Sequence, residues 1–198
     1  MRRVDRVWAV ALALCGLSLA VPANAAAQAG CPSQPVAQVF MPWGDPAWYA
    51  SLPDGGMETQ QGAWALGGSA KFVDGNEPYF VRSPTDAWSL KLSDGASAVS
   101  ARTCIGVGHP TLRLFARSGN PTGGTLRIAV EFTDLAGLRR SQQIAVLAAD
   151  GSWAPTPPIA IFANALSLLI PQQVAFRFTA DGGHWRVDDV FVDPYGKG

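Results

Sequence analysis

An all-β fold, two antiparallel layers packed face to face as a β-sandwich, is what this 198-residue sequence predicts. Three observations carry that expectation. Short runs of β-branched, aromatic and aliphatic residues recur along the chain, and turn residues drawn from 21 glycines and 15 prolines separate them. Two runs alternate cleanly: Leu126, Ile128, Val130 and Phe132 against Arg127, Ala129, Glu131 and Thr133, then Val174, Phe176 and Phe178 against Ala175, Arg177 and Thr179. Alternation of this kind belongs to antiparallel strands with one face in the core and one in water. No convincing amphipathic helix interrupts the pattern.

Taken in order, the chain opens on an address. Arg2, Arg3 and Arg6 precede an apolar run from Val7 to Val21, and Ala23-Asn24-Ala25 supplies small residues at a cleavage site. Residues 1–25 are therefore expected to be a cleaved secretory signal peptide. The apolar run is short for a membrane span and no stop-transfer charges follow it. The expected destination is the extracellular space.

Residues 26–53 are expected to form an N-terminal arm and loop packed on the domain, and residues 54–198 the sandwich itself. Val36 to Phe40 reads as an edge strand, and prolines and glycines between Pro42 and Gly56 mark a loop. Strands are expected at Gly62–Leu66, Ala70–Val73, Trp88–Leu92, Ala98–Thr103 and Thr111–Ala116. Further strands are expected at Thr125–Thr133, Ser141–Leu147, Val174–Thr179 and Trp185–Val192. Gly-rich turns at Asn120–Gly124 and Asp181–Gly183 suit tight reversals. Ile159–Ile170 stays ambiguous, since Ala163–Leu169 allows a helical turn or two between closely spaced prolines.

The final strand is unusual. Strict alternation along Trp185, Val187, Asp189 and Phe191 would send a carboxylate into the core. One extra residue at Asp188-Asp189, a bulge, restores the apolar face and is expected to turn both acids outward.

Composition excludes several function classes. Without Arg2, Arg3, Arg6 and Asp5, the 15 basic and 15 acidic side chains become 12 and 14, a net charge of −2. No basic patch stands out, which argues against nucleic acid as a partner. A basic amphipathic helix for membrane attachment is missing too. Cys31 and Cys104 are the cysteines left after cleavage, and in an oxidising compartment an even pair reads as a disulfide. Two free thiols or a metal pair are the alternatives, the latter disfavoured without a nearby histidine.

Asp54-Gly55-Gly56-Met57-Glu58-Thr59, followed by Gly62-Ala63-Trp64-Ala65-Leu66-Gly67-Gly68, resembles the opening of galactose-binding-like jelly rolls among secreted carbohydrate-binding modules. Those modules place an Asn-Gly-x-Phe-Glu motif before a Gly-Trp strand. Val187-Asp188-Asp189-Val190 is similar to the hydrophobic-Asp-Asp/Asn-Val pattern of their last strand. Met57 and Gly55-Gly56 depart from the motif. The resemblance implies a jelly roll whose first and last strands are neighbours. It also implies a structural calcium held by Glu58 with Asp188 or Asp189, Asp74 being a weaker candidate. Calcium takes six to eight hard oxygen ligands, so carboxylates and carbonyls suit it. The alternative is that Glu58 and Asp188 bond to backbone amides or to an arginine such as Arg186.

Such modules bind sugars by stacking aromatic rings on pyranose faces. The resemblance therefore points to Trp43, Trp48 and Tyr49 in the proline-rich loop and to Tyr79 with Phe80, near Asp45, Asn76 and Glu77. The same rings would equally serve as a lid over one end of the sandwich. Trp64, Trp88, Trp153 and Trp185 sit in or beside strand-like runs and read as packing residues.

Catalysis finds little support. His109 and His184 each stand in Gly-rich turns, no Gly-x-Ser-x-Gly elbow occurs, and no spacing singles out a carboxylate pair. Two expectations from different classes result. One is a non-catalytic binding module for cell-wall or environmental polysaccharide. The other is a structural or protein-interaction domain with no sugar ligand.

Overall fold

Alternation decides the two layers. The computed structural model describes residues 34–60, 62–105, 110–119, 123–163 and 171–193. The expected signal peptide 1–25, Cys31, His109 and most of the ambiguous run before Pro171 lie outside the described residues. In chain order the strands are β1 (Ala50–Ser51), β2 (Trp64–Gly67), β3 (Lys71–Asp74), β4 (Trp88–Leu92), β5 (Ser97–Ser100) and β6 (Thr103–Ile105). They continue as β7 (Thr111–Ser118), β8 (Thr125–Thr133), β9 (Arg139–Ala148), β10 (Ala154–Pro155), β11 (Ile159–Ala160), β12 (Gln172–Asp181) and β13 (Trp185–Val192).

One sheet has the order β10-β7-β13-β4-β3, with β1 joined to β13 and β11 to β7; the other runs β2-β5-β12-β8-β9, with β6 joined to β12. Every described pairing is antiparallel. The protein is an all-β, two-layer antiparallel sandwich. Its core is the meeting of two inner faces. Leu90, Leu112, Leu114, Val187, Val190 and Val192 come from one sheet; Leu126, Ile128, Val130, Val174, Phe176 and Phe178 come from the other. Each is fully buried, contributing about 1.5–3 kcal/mol through the apolar surface taken out of water. Strands β8 and β13 occupy the residues their alternation and bulge predict.

Two expected strands differ. Val36–Phe40 makes a single bridge, Ala37 to Tyr49, before a 3-10 turn at Met41–Trp43 takes over. Pro42 inside that turn lacks the N–H a continuing ladder needs. The run Ala98–Thr103 splits into β5 and β6. At the break the Ser100 hydroxyl, not a strand carbonyl, accepts the Phe176 N–H at 3.0 Å.

A second apolar cluster lies on the outer face of the β7–β13 sheet. Phe115 and Phe191 point outward there, and Phe40 and Tyr49 of the arm cover them. Phe40 stacks on Phe115 with ring centroids 5.7 Å apart. Asp45 locks this cover in place. Its Oδ2 accepts the Tyr49 hydroxyl at 2.8 Å and pairs with Arg113 Nη1 at 2.6 Å. The Arg113 guanidinium lies 4.0 Å over the Phe40 ring. Burial pushes the Asp45 carboxyl up, but the bonds from Tyr49, Ala47 and Arg113 outweigh it and hold the carboxyl below its usual value.

Candidate functional site

The covered face leaves an open groove of about 700 Å³ between the arm and the segment 79–81. Ala37, Gln38, Val39, Pro42, Trp43, Tyr79 and Val81 line it. Trp43 and Tyr79 meet edge to face, centroids 5.0 Å apart and planes at 87°. Trp43 is half-buried, whereas Trp48, Tyr79 and Phe80 are each close to half exposed. The groove thus presents two rings at a right angle over an apolar floor. No coplanar pair forms between Trp43 and Tyr79.

Tyr49 is a correction. It is 2 % exposed and its hydroxyl is committed to Asp45, so its ring belongs to the sheet cover and no ligand can stack on it. Glu77 and Asp45 are likewise withdrawn from the expected polar rim. Glu77 is fully buried, and the Asp45 carboxylate serves Arg113 and Tyr49. Trp64 and Trp185 are core residues, and Trp88 and Trp153 pack half-buried against the two clusters.

The segment bearing Tyr79 and Phe80 rests on buried acids. Glu77 Oε1 accepts the Val81 N–H at 3.0 Å, and Oε2 accepts the Tyr79 N–H. The backbone N–H of Glu77 donates to Asp188 Oδ2 at 3.0 Å, and that of Asp189 donates to Asp188 Oδ1 at 2.8 Å. The bulge on β13 is present, a register shift between Asp188 and Phe191, with Asp189 at φ 47°. The expectation that it turns both acids to solvent is overturned, because Asp188 and Asp189 are both 0 % exposed. The reason is tertiary: segment 77–82 and the 52–57 turn cover the outer face at that point.

The glycine-pair turn and the closing strand do meet there. Leu52 donates to the Val190 carbonyl at 2.9 Å, and Val190 donates to that of Gly55 at 3.0 Å. The two glycines make this approach feasible. A Cβ on Gly55 would lie 2.5 Å from the Val190 oxygen, and one on Gly56 would lie 1.7 Å from Arg82 Nη1. Met57, where the resembled motif has phenylalanine, is fully buried in the main core.

Burial, then the neighbouring Asp189, pushes the Asp188 carboxyl up to about 9. Burial also raises Asp189, to about 8, with Arg82 pulling against it and Glu77 adding to it. Both Asp189 oxygens are buried without a hydrogen-bond partner, and Arg82 Nε stands 3.9 Å from Oδ1. Asp86 is raised as well, by burial, against the pull of Arg82.

Glu58, Asp188 and Asp189 do not fit a calcium ion as they are arranged. Glu58 Oε1 accepts the N–H groups of Ala87 and Trp88 at 2.8 and 2.9 Å, tying the motif to the start of β4. Both Asp188 oxygens serve amides. Neither Asp189 oxygen accepts a hydrogen bond, but both are buried and a guanidinium already lies beside Oδ1. Asp74 is exposed at the end of β3, its carbonyl accepting from Arg186. Among the described residues no three His, Cys, Asp or Glu side chains are grouped to hold a metal.

Two further acids are engaged in ion pairs. Glu131 pairs with Arg177 at 2.6 Å, and Asp134 with Arg140 at 2.7 Å. Cys104 is buried in β6 and accepts from Gln173 at 3.3 Å; its expected partner, Cys31, lies outside the described residues.

No protein-family model matches the chain. No curated protein matches it either. Solved structures similar to it include carbohydrate-binding modules. A xylan-binding domain from CBM 22 is 16% identical, with a TM-score of 0.45 over 74% of this chain and 99% of that one. TmCBM61, in complex with β-1,4-galactotriose, is 15% identical, with a TM-score of 0.40 over 72% of this chain and 96% of that one. The CBM22-1–GH10 portion of xylanase 10B from Clostridium thermocellum, complexed with xylohexaose, is 14% identical, with a TM-score of 0.47 over 68% of this chain. The present chain spans 26% of that xylanase chain. What each of these binds is a property of that protein.

Proposed function

We propose that this chain is a secreted, non-catalytic carbohydrate-binding module whose ligand lies in the groove between the arm and segment 79–81. One observation carries the reading. An open groove of about 700 Å³ is walled by Trp43 and Tyr79, with further aromatic surface exposed at Trp48 and Phe80. Partly exposed rings cost free energy in water and recover it against an apolar ligand face. A pyranose stacked on one ring would be flanked edge-on by the other, which suits a single chain of sugar in the groove better than a flat crystalline surface. Gln38 lines the same groove, although its amide already donates to the Pro46 carbonyl at 2.7 Å and leaves its oxygen for a hydroxyl. Secretion would follow from residues 1–25 and would bring the chain to cell-wall or environmental polysaccharide.

A second reading is favoured by the character of the lining. Ala37, Val39, Pro42 and Val81 are apolar, and no charged side chain lines the groove. That composition would also take an apolar peptide segment, making the domain an interaction module with no sugar ligand. Native-gel affinity electrophoresis of the mature protein separates the two. Xylan, galactan and mixed-linkage glucan are the first probes. Retardation by one polysaccharide, lost in Trp43→Ala, supports the sugar reading; unchanged mobility in all of them defeats it.

A further inference from the structure

The paired acids of the β13 bulge hold the two ends of one loop. Asp188 binds the Glu77 N–H at its start, and Asp189 faces the Arg82 guanidinium at its end. Between those posts, Glu77 turns its own carboxylate back onto the Tyr79 and Val81 amides. The loop therefore stands on three fully buried acids, Glu77, Asp188 and Asp189, and Arg82 is the cation beside the last of them, 3.9 Å from Asp189 Oδ1. Its side chain is 30 % exposed, and its guanidinium reaches in beside Gly56. Insertion is possible because residue 56 has no side chain: a Cβ there would sit 1.7 Å from Nη1, 2.8 Å from Cζ and 3.0 Å from Asp189 Oδ1.

We infer that Arg82 is the resident cation of this cluster, holding segment 77–82 against the β13 bulge with no divalent ion required. A buried carboxylate needs compensating charge or hydrogen bonds. At Asp188 backbone N–H groups supply hydrogen bonds; at Asp189 the guanidinium 3.9 Å from Oδ1 favours the ionised form, against the burial that raises the carboxyl. Beside Asp189 Oδ1 the space is taken by Arg82 and Gly56, since a Cβ on Gly56 would lie 1.7 Å from Arg82 Nη1 and 3.0 Å from that oxygen. The inference goes beyond the sugar reading and does not rest on it.

Two measurements without any sugar test it. The first is thermal unfolding of the mature wild-type protein after dialysis against chelator, with calcium chloride then added to millimolar concentration and uptake followed by calorimetry. An unchanged Tm and no saturable heat are expected; a calcium-dependent rise in Tm overturns the inference. The second is cleavage by chymotrypsin after Tyr79 or Phe80 in Arg82→Gln. Cleavage about tenfold faster than in the wild type is expected, because a loop freed at one post opens locally more often. Arg82→Lys keeps the charge and is expected to fall between the two, and it serves alone if Arg82→Gln does not fold. Cleavage at the wild-type rate in whichever variant folds defeats the inference.

Discussion

The backbone N–H of Glu77 and the Oδ2 of Asp188 are 3.0 Å apart, a hydrogen bond between residues 111 positions apart in the chain. It ties the only segment that carries both Tyr79 and Phe80 to the closing strand of the sandwich. Asp188 is wholly buried at that contact, and its energetics set a pH dependence for the whole domain.

Asp188 is raised to about 9 and Asp189 to about 8, from a usual 3.8. A folded-state pKa above the unfolded value means that the folded protein keeps a proton the unfolded chain has released. Stability from these groups is therefore complete below about pH 4 and declines as pH rises toward 8 to 9, at up to about 1.4 kcal/mol per unit for each group. Urea midpoints measured in chelated buffer should be higher at pH 5 than at pH 8.5, and Asp189→Asn should flatten the slope. A midpoint that climbs steadily from pH 5 to pH 8.5 contradicts the assignment.

Arg113 is 4 % exposed, pairs with Asp45 and donates to the Thr156 carbonyl at 2.8 Å. Arg113→Ala leaves a largely buried carboxylate without its cation and should cost about 3 kcal/mol in chemical denaturation. Tyr49→Phe removes only one donor to Asp45 and should cost about 1 kcal/mol. Equal losses in the two variants would mean that the ion pair adds nothing.

Met57 lies at 0 % exposure among the core residues. Met57→Ala should lose about 2–5 kcal/mol through the cavity it opens. Met57→Phe tests the motif directly: a tolerated substitution, within about 1.5 kcal/mol, would show that the pocket keeps room for the ring found in the resembled modules.

Trp43 and Tyr79 wall the groove, whereas Trp64 packs in the core. If sugar binds there, Trp43→Ala and Tyr79→Ala should each weaken polysaccharide affinity at least tenfold, about 1.4 kcal/mol. The Tyr79→Ala variant should keep a near-wild-type Tm. Retained affinity in both variants would move the ligand elsewhere on the surface.

Pairing of Cys31 with Cys104 is expected to resist alkylation in the native, non-reduced mature protein. Breaking it should lower stability by up to about 4 kcal/mol, since the link closes a long loop in the unfolded chain. Two alkylated cysteines in non-reduced, denatured protein would rule it out.

Strands such as β8 and β12 were legible because each writes its burial into a two-residue period, and every residue of that period is local information. The bulge on β13 was legible for the same reason, since Val187 and Val190 had to share a face. The burial of its two acids was not. Nothing near Asp188 in the chain tells that Glu77 will cover it, because that contact spans most of the domain. Glu77 itself looked like a surface carboxylate beside exposed rings. A hint lay in its place two residues before Tyr79, where an acid can fold back onto turn amides.

By itself, the order of apolar, polar and turn residues determined a two-layer antiparallel sandwich and a closing strand with one residue too many. Which aromatic rings are spent on covering Phe115 and which are left for a ligand was decided only by the tertiary structure. The physical reason is that strand periodicity reports which side of a sheet a residue takes, but not whether a distant segment arrives to bury that side. Tyr49 and Trp48 are neighbours in the chain, and the arm's path over the sheet buries one and exposes the other.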